Sequence, residues 1–230
     1  MNDVAIDAVL FDLDGTLLDT APDMAAALNA LLIEEGAAPI PFAQIREHVS
    51  HGGAALVRLG FPEARDDEFE RLRLRLLKLY RRDIPRETRL FDGLESVLGE
   101  LERAHVPWGV VTNKPGWLTE PLLAALDLAS RAGCVVSGDT LSERKPHPLP
   151  LLHAARLMGL EPLRCLYVGD AERDMRAARA AGMRTLIARY GYLSAADRPQ
   201  DWLADGMVDR PQDILTWMQA TAPRQQEFGS

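Results

Sequence analysis

Apolar and polar positions change their spacing twice along the chain. Near the start, the run AVLF at residues 8–11 sits between Asp7 and Asp12; it is too short for a helix and a polar turn closes it, so it reads as a central buried strand. Thr20, Pro22 and Asp23 then give a helix start, with threonine as cap, proline in the first turn and a carboxylate where the reciprocal capping partner belongs. That helix is expected to reach about Glu35 and stop at Gly36. No strand pattern follows before Pro85. The stretch DEFERLRLRLLKLYRR at 67–82 fits period two through Leu72, Leu74 and Leu76, but its length and its Leu, Arg, Glu and Lys content favour a helix with Phe69, Leu72, Leu76 and Leu79 on one face. Its arginines read as a solvated face rather than an anion site.

From residue 93 strands and helices alternate. The pattern predicts a helix at Leu94–Ala104, the strand PWGVVTN, a helix at about Leu118–Leu126 and the strand GCVVSG. A helix at Leu149–Met158, the strand CLYVGD, a helix at Glu172–Ala181, the strand MRTLIAR and a short edge strand near Met207 follow. Such alternation implies an α/β fold whose parallel sheet is covered by helices on both faces. The helical stretch at about 17–88 interrupts it after one strand, as an inserted domain would.

Composition narrows the function. In 230 residues, 47% are hydrophobic, enough to fill a sizeable interior. The net charge of −8, with basic residues scattered among acidic ones, argues against nucleic acid as a partner. No apolar run approaches the roughly 18 residues needed to span a bilayer, so no membrane partner is expected. The two cysteines, Cys134 and Cys165, lack metal or redox spacing, and the N-terminus has no signal-peptide pattern, so the cytoplasm is the expected compartment.

The chemistry is expected at the carboxyl ends of the strands, where ligands gather in open parallel sheets. Three apolar strands end in polar residues there: Phe11 into Asp12, Val111 into Thr112 and Asn113, Val168 into Gly169 and Asp170. Each alone is an ordinary strand-to-turn transition, but three together point to one crevice. Asp12, Asp14, Asp170 and Asp174 would repel one another in a partly buried site unless a hard divalent cation cancelled the charge, and magnesium suits a few carboxylates with room left for phosphate oxygens. Lys145, in the loop after VVSG, could offer its ammonium to a phosphate or to Asp12. In the helical insertion, Ser50, His51, Gly52 and Gly53 form a glycine-rich approach to a helix that suits an anion, or is simply a flexible helix start. His51 reads as an exposed polar residue rather than a catalyst.

DLDGT at 12–16, VVTN at 110–113, Lys145 within RKPHP and VGDAERD at 168–174 resemble, in order and spacing, the four motifs of the haloacid dehalogenase superfamily, specifically its phosphatases with a small helical cap. The resemblance covers nearly the whole chain. It implies a Rossmann-like core at 1–16 and 89–222, a helical cap at 17–88 and a disordered tail at 223–230. It further implies that Asp12 attacks phosphorus to form an aspartyl phosphate, while Asp14 protonates the leaving alcohol and later takes a proton from the hydrolytic water. Magnesium (Mg2+) would be held by Asp12, the backbone carbonyl of Asp14 and Asp170, with Asp174 acting behind them. Thr112, the Asn113 amide and Lys145 would hold the phosphoryl oxygens. Two like carboxylates thus serve opposite roles, one ionised and one carrying a proton. The cap would exclude water and choose the leaving group.

Within that superfamily, TNKP and KPHP resemble bacterial phosphoglycolate phosphatases. RYGYLSAADRPQDWLADGMVDRP at 189–211, and VVTNKP followed by TEP at 119–121, are more similar to the N-acetylmuramic acid 6-phosphate phosphatases of peptidoglycan recycling. The expected partner is therefore a small phosphorylated metabolite, N-acetylmuramic acid 6-phosphate before 2-phosphoglycolate, met by a monomer or homodimer. A dehalogenase would need neither Asp14 nor a metal. A phosphosugar mutase shares all four motifs and differs mainly in its cap, and a phosphoacceptor module would lack the large insertion and Asp14.

Overall fold

The computed structural model describes residues 5–221; the tail expected at 223–230 lies outside them. The chain opens with β1 (Ala8–Phe11) and β2 (Leu18–Asp19), followed by four helices, α1 (Ala21–Glu34), α2 (Phe42–Arg46), α3 (Gly52–Gly60) and α4 (Asp66–Arg82). After β3 (Arg89–Leu90) come α5 (Leu94–Arg103), β4 (Trp108–Val111), α6 (Gly116–Ala125), β5 (Cys134–Val136) and α7 (Leu149–Leu157). The chain closes with β6 (Cys165–Gly169), α8 (Glu172–Ala180), β7 (Arg184–Ala188), β8 (Gly206–Val208) and α9 (Asp213–Ala220).

Six strands form one parallel sheet in the order β5-β4-β1-β6-β7-β8. Alternate residues of β1 face opposite sides, as a pleated strand requires. Val9 and Phe11 join Val110, Val168 and Leu186 against α5, α6 and α9. Ala8 and Leu10 join Tyr167 and Ile187 against α7 and α8. Phe11 pairs with both Val110 and Val168, and Val111 with Val136, so the residues after β1, β4 and β6 emerge at one rim.

Two expectations need correction. The stretch at 17–88 is not all helical: β2 lies inside it and pairs antiparallel with β3, Leu18 with Leu90 and Asp19 with Arg89. A two-residue strand carries no period to read. The pattern also gives no sign of α9, whose single fully buried residue, Ile214, leaves too weak a stripe.

Between β2 and β3, helices α1–α4 pack around a second core that includes Leu28, Leu31, Ile45, Leu56, Leu72, Leu76 and Tyr80, and that Leu118 and Tyr192 join from the sheet side. Gly36, at φ +76°, ends α1 by turning its N–H back to the Ile33 carbonyl. The start of α1 departs from the expected capping arrangement. Thr20 makes no side-chain cap, and its hydroxyl donates instead to Asp14 Oδ1 at 2.6 Å. Asp23 accepts from the backbone N–H groups of Arg86, Glu87 and Thr88 and from the Thr88 hydroxyl, so it pins the chain where it returns to the core. On α4, Arg71 and Arg75 pair with Glu35 and Glu34 at the carboxyl end of α1 and just past it, the solvated arrangement expected of an amphipathic helix.

Candidate active site

Asp12 follows β1 with its carboxylate almost wholly buried. Lys145 Nζ lies 2.8 Å from Asp12 Oδ1 and 2.8 Å from Asp174 Oδ1, and donates to the Tyr167 hydroxyl at 2.7 Å. That hydroxyl passes the chain on by donating to the Val111 carbonyl. The lysine is thus held among three oxygens, two of them carboxylate oxygens in ion pairs, and sits where it orients Asp12. Leu13 N–H also donates to Asp12 Oδ1, at 2.7 Å. Among the described residues no hydrogen bond reaches Asp12 Oδ2.

Asp170 enters from β6, with Oδ2 accepting from the Ser50 hydroxyl at 2.6 Å and from Tyr192 N–H at 3.0 Å. Its Oδ1 is buried without a partner. Carboxylate oxygens of Asp12, Asp170 and Asp174 lie within 4.8 Å of one another. Burial first, and then the charges of Asp12 and Asp174, push the Asp170 carboxyl up to about 7. Lys145 and the neighbouring Arg173 still leave three buried carboxylates one charge short, and the orphaned oxygen points to the missing charge: the donor set fits a hard divalent cation. Asp174 also accepts from Ala171 N–H through Oδ2, which locks it at the start of α8. Gly15 sits at φ +84°, where a side chain would collide with Asp170 Oδ2, so glycine is required for this approach.

Asp14 is less buried than Asp12. Its Oδ1 accepts from the Thr20 hydroxyl and from Lys114 Nζ at 2.9 Å, and among the described residues no hydrogen bond reaches Oδ2. Lys114 is itself buried, with its ammonium 4.4 Å from the centre of the Tyr80 ring of α4. Burial works against its charge, but Asp14 and Tyr80 outweigh this and hold it above the ordinary lysine range. Thr112 accepts from Lys114 N–H through its hydroxyl. The Asn113 side chain has a duty the sequence does not reveal: Nδ2 donates to the Lys145 carbonyl at 2.8 Å and Oδ1 accepts from Lys145 N–H at 3.0 Å. It clamps the lysine loop.

The helical insertion forms the far wall of a cleft of about 750 Å³, which Ser50, His51, Gly52 and Gly53 all line. Ser50 bridges the two halves, since its hydroxyl also lies 3.5 Å from the Asp14 carbonyl. Arg173 of α8 donates to the Ser50 carbonyl at 2.6 Å and contacts His51 Nδ1 at 3.4 Å. Burial and the Arg173 charge lower the His51 imidazole below its usual range, which favours the neutral ring. Tyr192 makes a second link: its N–H holds Asp170, its hydroxyl donates to Asp19 at 2.7 Å, and the same oxygen accepts from Ala21 N–H. Lys114, Arg173 and Tyr192 are the residues of this site that pattern reading misses, because only the fold reveals their burial.

A family model described as haloacid dehalogenase-like hydrolase matches residues 9–188. The chain belongs to this family. This hydrolase is 48% identical over 203 residues to a phosphoglycolate phosphatase of Xylella fastidiosa, covering 88% of the chain and 89% of the relative. It is 43% identical over 210 residues to an N-acetylmuramic acid 6-phosphate phosphatase of Pseudomonas putida, covering 90% and 93%. Among solved structures, one from Haemophilus somnus described as a predicted phosphoglycolate phosphatase superposes with a TM-score of 0.84 at 28% identity, over 95% of this chain and 100% of that one. The haloacid dehalogenase-like hydrolase described here is thus a phosphoric monoester hydrolase.

Proposed function

We propose that this hydrolase is magnesium-dependent, works through an aspartyl phosphate on Asp12 and prefers N-acetylmuramic acid 6-phosphate. The observation that carries the mechanism is the treatment of the two carboxylates after β1. Both donors to Asp12 engage Oδ1, as do both donors to Asp14, so each residue keeps Oδ2 for chemistry.

Asp12 Oδ2 attacks phosphorus while the bond from phosphorus to the ester oxygen breaks. Asp14 Oδ2 gives its proton to the departing alcohol. Water then attacks the phosphoryl aspartate, returns a proton to Asp14, frees Asp12 and leaves as phosphate. Magnesium, held by Asp12, Asp170 and the Asp14 carbonyl, would neutralise the phosphoryl oxygens. Asp174 keeps Lys145 in place, and Thr112 and the Asn113 main chain face the phosphoryl group. The unit formed by residues 17–88 acts as a cap over the core at 1–16 and 89–222, excluding water and selecting the alcohol through Ser50, His51, Gly52 and Gly53.

The size of the cleft supports the sugar ester. Its 750 Å³ include apolar wall from Met24, Phe69, Leu77 and Leu118, more room and more hydrophobic surface than a two-carbon acid needs. A second reading, 2-phosphoglycolate, is favoured by the name of the Xylella relative. The test is a panel of phosphomonoesters containing both compounds, assayed with magnesium and with chelator, beside folded Asp12→Asn. Turnover of N-acetylmuramic acid 6-phosphate should lead the panel, stop on chelation and vanish in the variant. Full activity after stringent chelation, or in Asp12→Asn, would remove the mechanism; a clear preference for 2-phosphoglycolate would remove the substrate.

A further inference from the structure

The phosphate chemistry absorbs most of the cations in the cleft. Lys145 answers Asp12 and Asp174, Lys114 answers Asp14, and Arg173 is spent on the Ser50 carbonyl. Arg73 and Arg144 have no part in it. Both line the main cleft, and both also line a second cavity of about 370 Å³ beside it, whose wall adds Trp117 and Leu74. Asp12, Thr112 and Lys145 face the first cavity alone. The two arginines thus belong to the walls the cavities share, one from α4 of the insertion and one from the loop before Lys145.

Each is available. Arg71 and Arg75 pair with the glutamates at the end of α1, and a residue two positions from both cannot share their face of α4, so Arg73 is turned the other way. Glu70 takes only its Nε and Nη2, leaving Nη1 free. Arg144 is exposed and enters no ion pair among the described residues. Beside them Trp117 and Leu74 are each 44% exposed, large apolar groups left uncovered at a cavity wall. Asp139, the acid in the annex, is already engaged by Gly116 N–H.

We propose that Arg73 and Arg144 form a carboxylate subsite for the leaving group, with Trp117 and Leu74 as its apolar floor. The enzyme thereby selects phosphomonoesters whose alcohol is a sugar-sized unit carrying a carboxylate. A guanidinium presents a planar fork that matches a carboxylate in two parallel hydrogen bonds. The apolar face of a sugar ring suits an exposed indole. Because the arginines come from opposite walls, a carboxylate held by both would also draw the insertion onto the core when the correct alcohol is bound.

The inference rests on the phosphatase reading above, and three esters separate the two. N-acetylmuramic and N-acetylglucosamine 6-phosphates differ in the carboxyl-bearing ether, and p-nitrophenyl phosphate reports phosphoryl transfer itself. The wild-type ratio of kcat/KM between the two sugar esters should be at least about tenfold in favour of the carboxylate, and Arg73→Gln or Arg144→Gln should bring it towards one, chiefly through KM. Arg103→Gln, on α5 and paired with Glu100, should leave the ratio as it was. A wild-type ratio near one, or arginine variants that lower all three esters in parallel or change none, overturns the subsite while turnover of p-nitrophenyl phosphate keeps the phosphatase reading intact. Failure to cleave any of the three overturns both.

Discussion

Lys114 shows how one buried cation is made to serve. Its side chain is 5% exposed, and an ammonium so placed is costly unless paired. Asp14 and the Tyr80 ring supply that pairing, and in return Lys114 fixes which oxygen of Asp14 stays free. Lys114→Met is expected to lower stability by about 3 kcal/mol, because Asp14 loses its counter-charge and keeps only the Thr20 hydroxyl, and urea unfolding measures this. The surviving enzyme should lose more rate on alkyl phosphates than on p-nitrophenyl phosphate, whose departure needs no proton. Equal losses would mean that Lys114 does not position the acid. The sequence points to Asp12, Asp14 and Asp170 because each stands just after an apolar strand, and to the loop residue Lys145 only through its company in a recognisable series. It does not point to Lys114, since lysines are rarely buried and neighbouring residues say nothing of the ring that will cover it.

At the level of elements, the weak point is where the insertion rejoins the core. Asp23 gathers four donors from residues 86–88, three of them backbone N–H groups with no other partner among the described residues. Asp23→Ala is expected to cost about 3 kcal/mol, since charge-assisted bonds are lost and the buried Thr88 is left with unsatisfied donors. Hydrogen exchange should show residues 86–88 opening first; unchanged protection there would refute the role. The alternating strands and helices after residue 93 were read with ends within a few positions of those found, because buried strands and amphipathic helices each have a period. The ribbon of β2 and β3 has none, and Thr20 and Asp23 carried a helix-cap signal that long-range partners, Asp14 and Thr88, override.

For the molecule as a whole, folding gathers three carboxylates that the unfolded chain keeps apart. In the metal-free protein Asp170 titrates near 7 against an ordinary 3.8, so the native state holds its proton more tightly than the unfolded state does. The stability this contributes is complete below 3.8 and lost as pH rises through 7. Chelated protein should therefore lose stability from this group between pH 6 and pH 8, and saturating magnesium, competing with fewer protons, should raise the melting temperature more at pH 8 than at pH 6. Thermal melts at the two pH values, with magnesium and with chelator, check it; an equal increment at both would contradict the assignment of the cation to Asp170.

The chain leaves the main sheet and returns to it through two strands of two residues each, Leu18–Asp19 and Arg89–Leu90. Everything between them is one uninterrupted stretch of polypeptide, bonded across the boundary at a few points such as Ser50 to Asp170 and Ala21 to Tyr192. Lineages could exchange that block as a module, acquiring new ester preferences by splicing at the ribbon while the phosphorus-handling half descends unaltered.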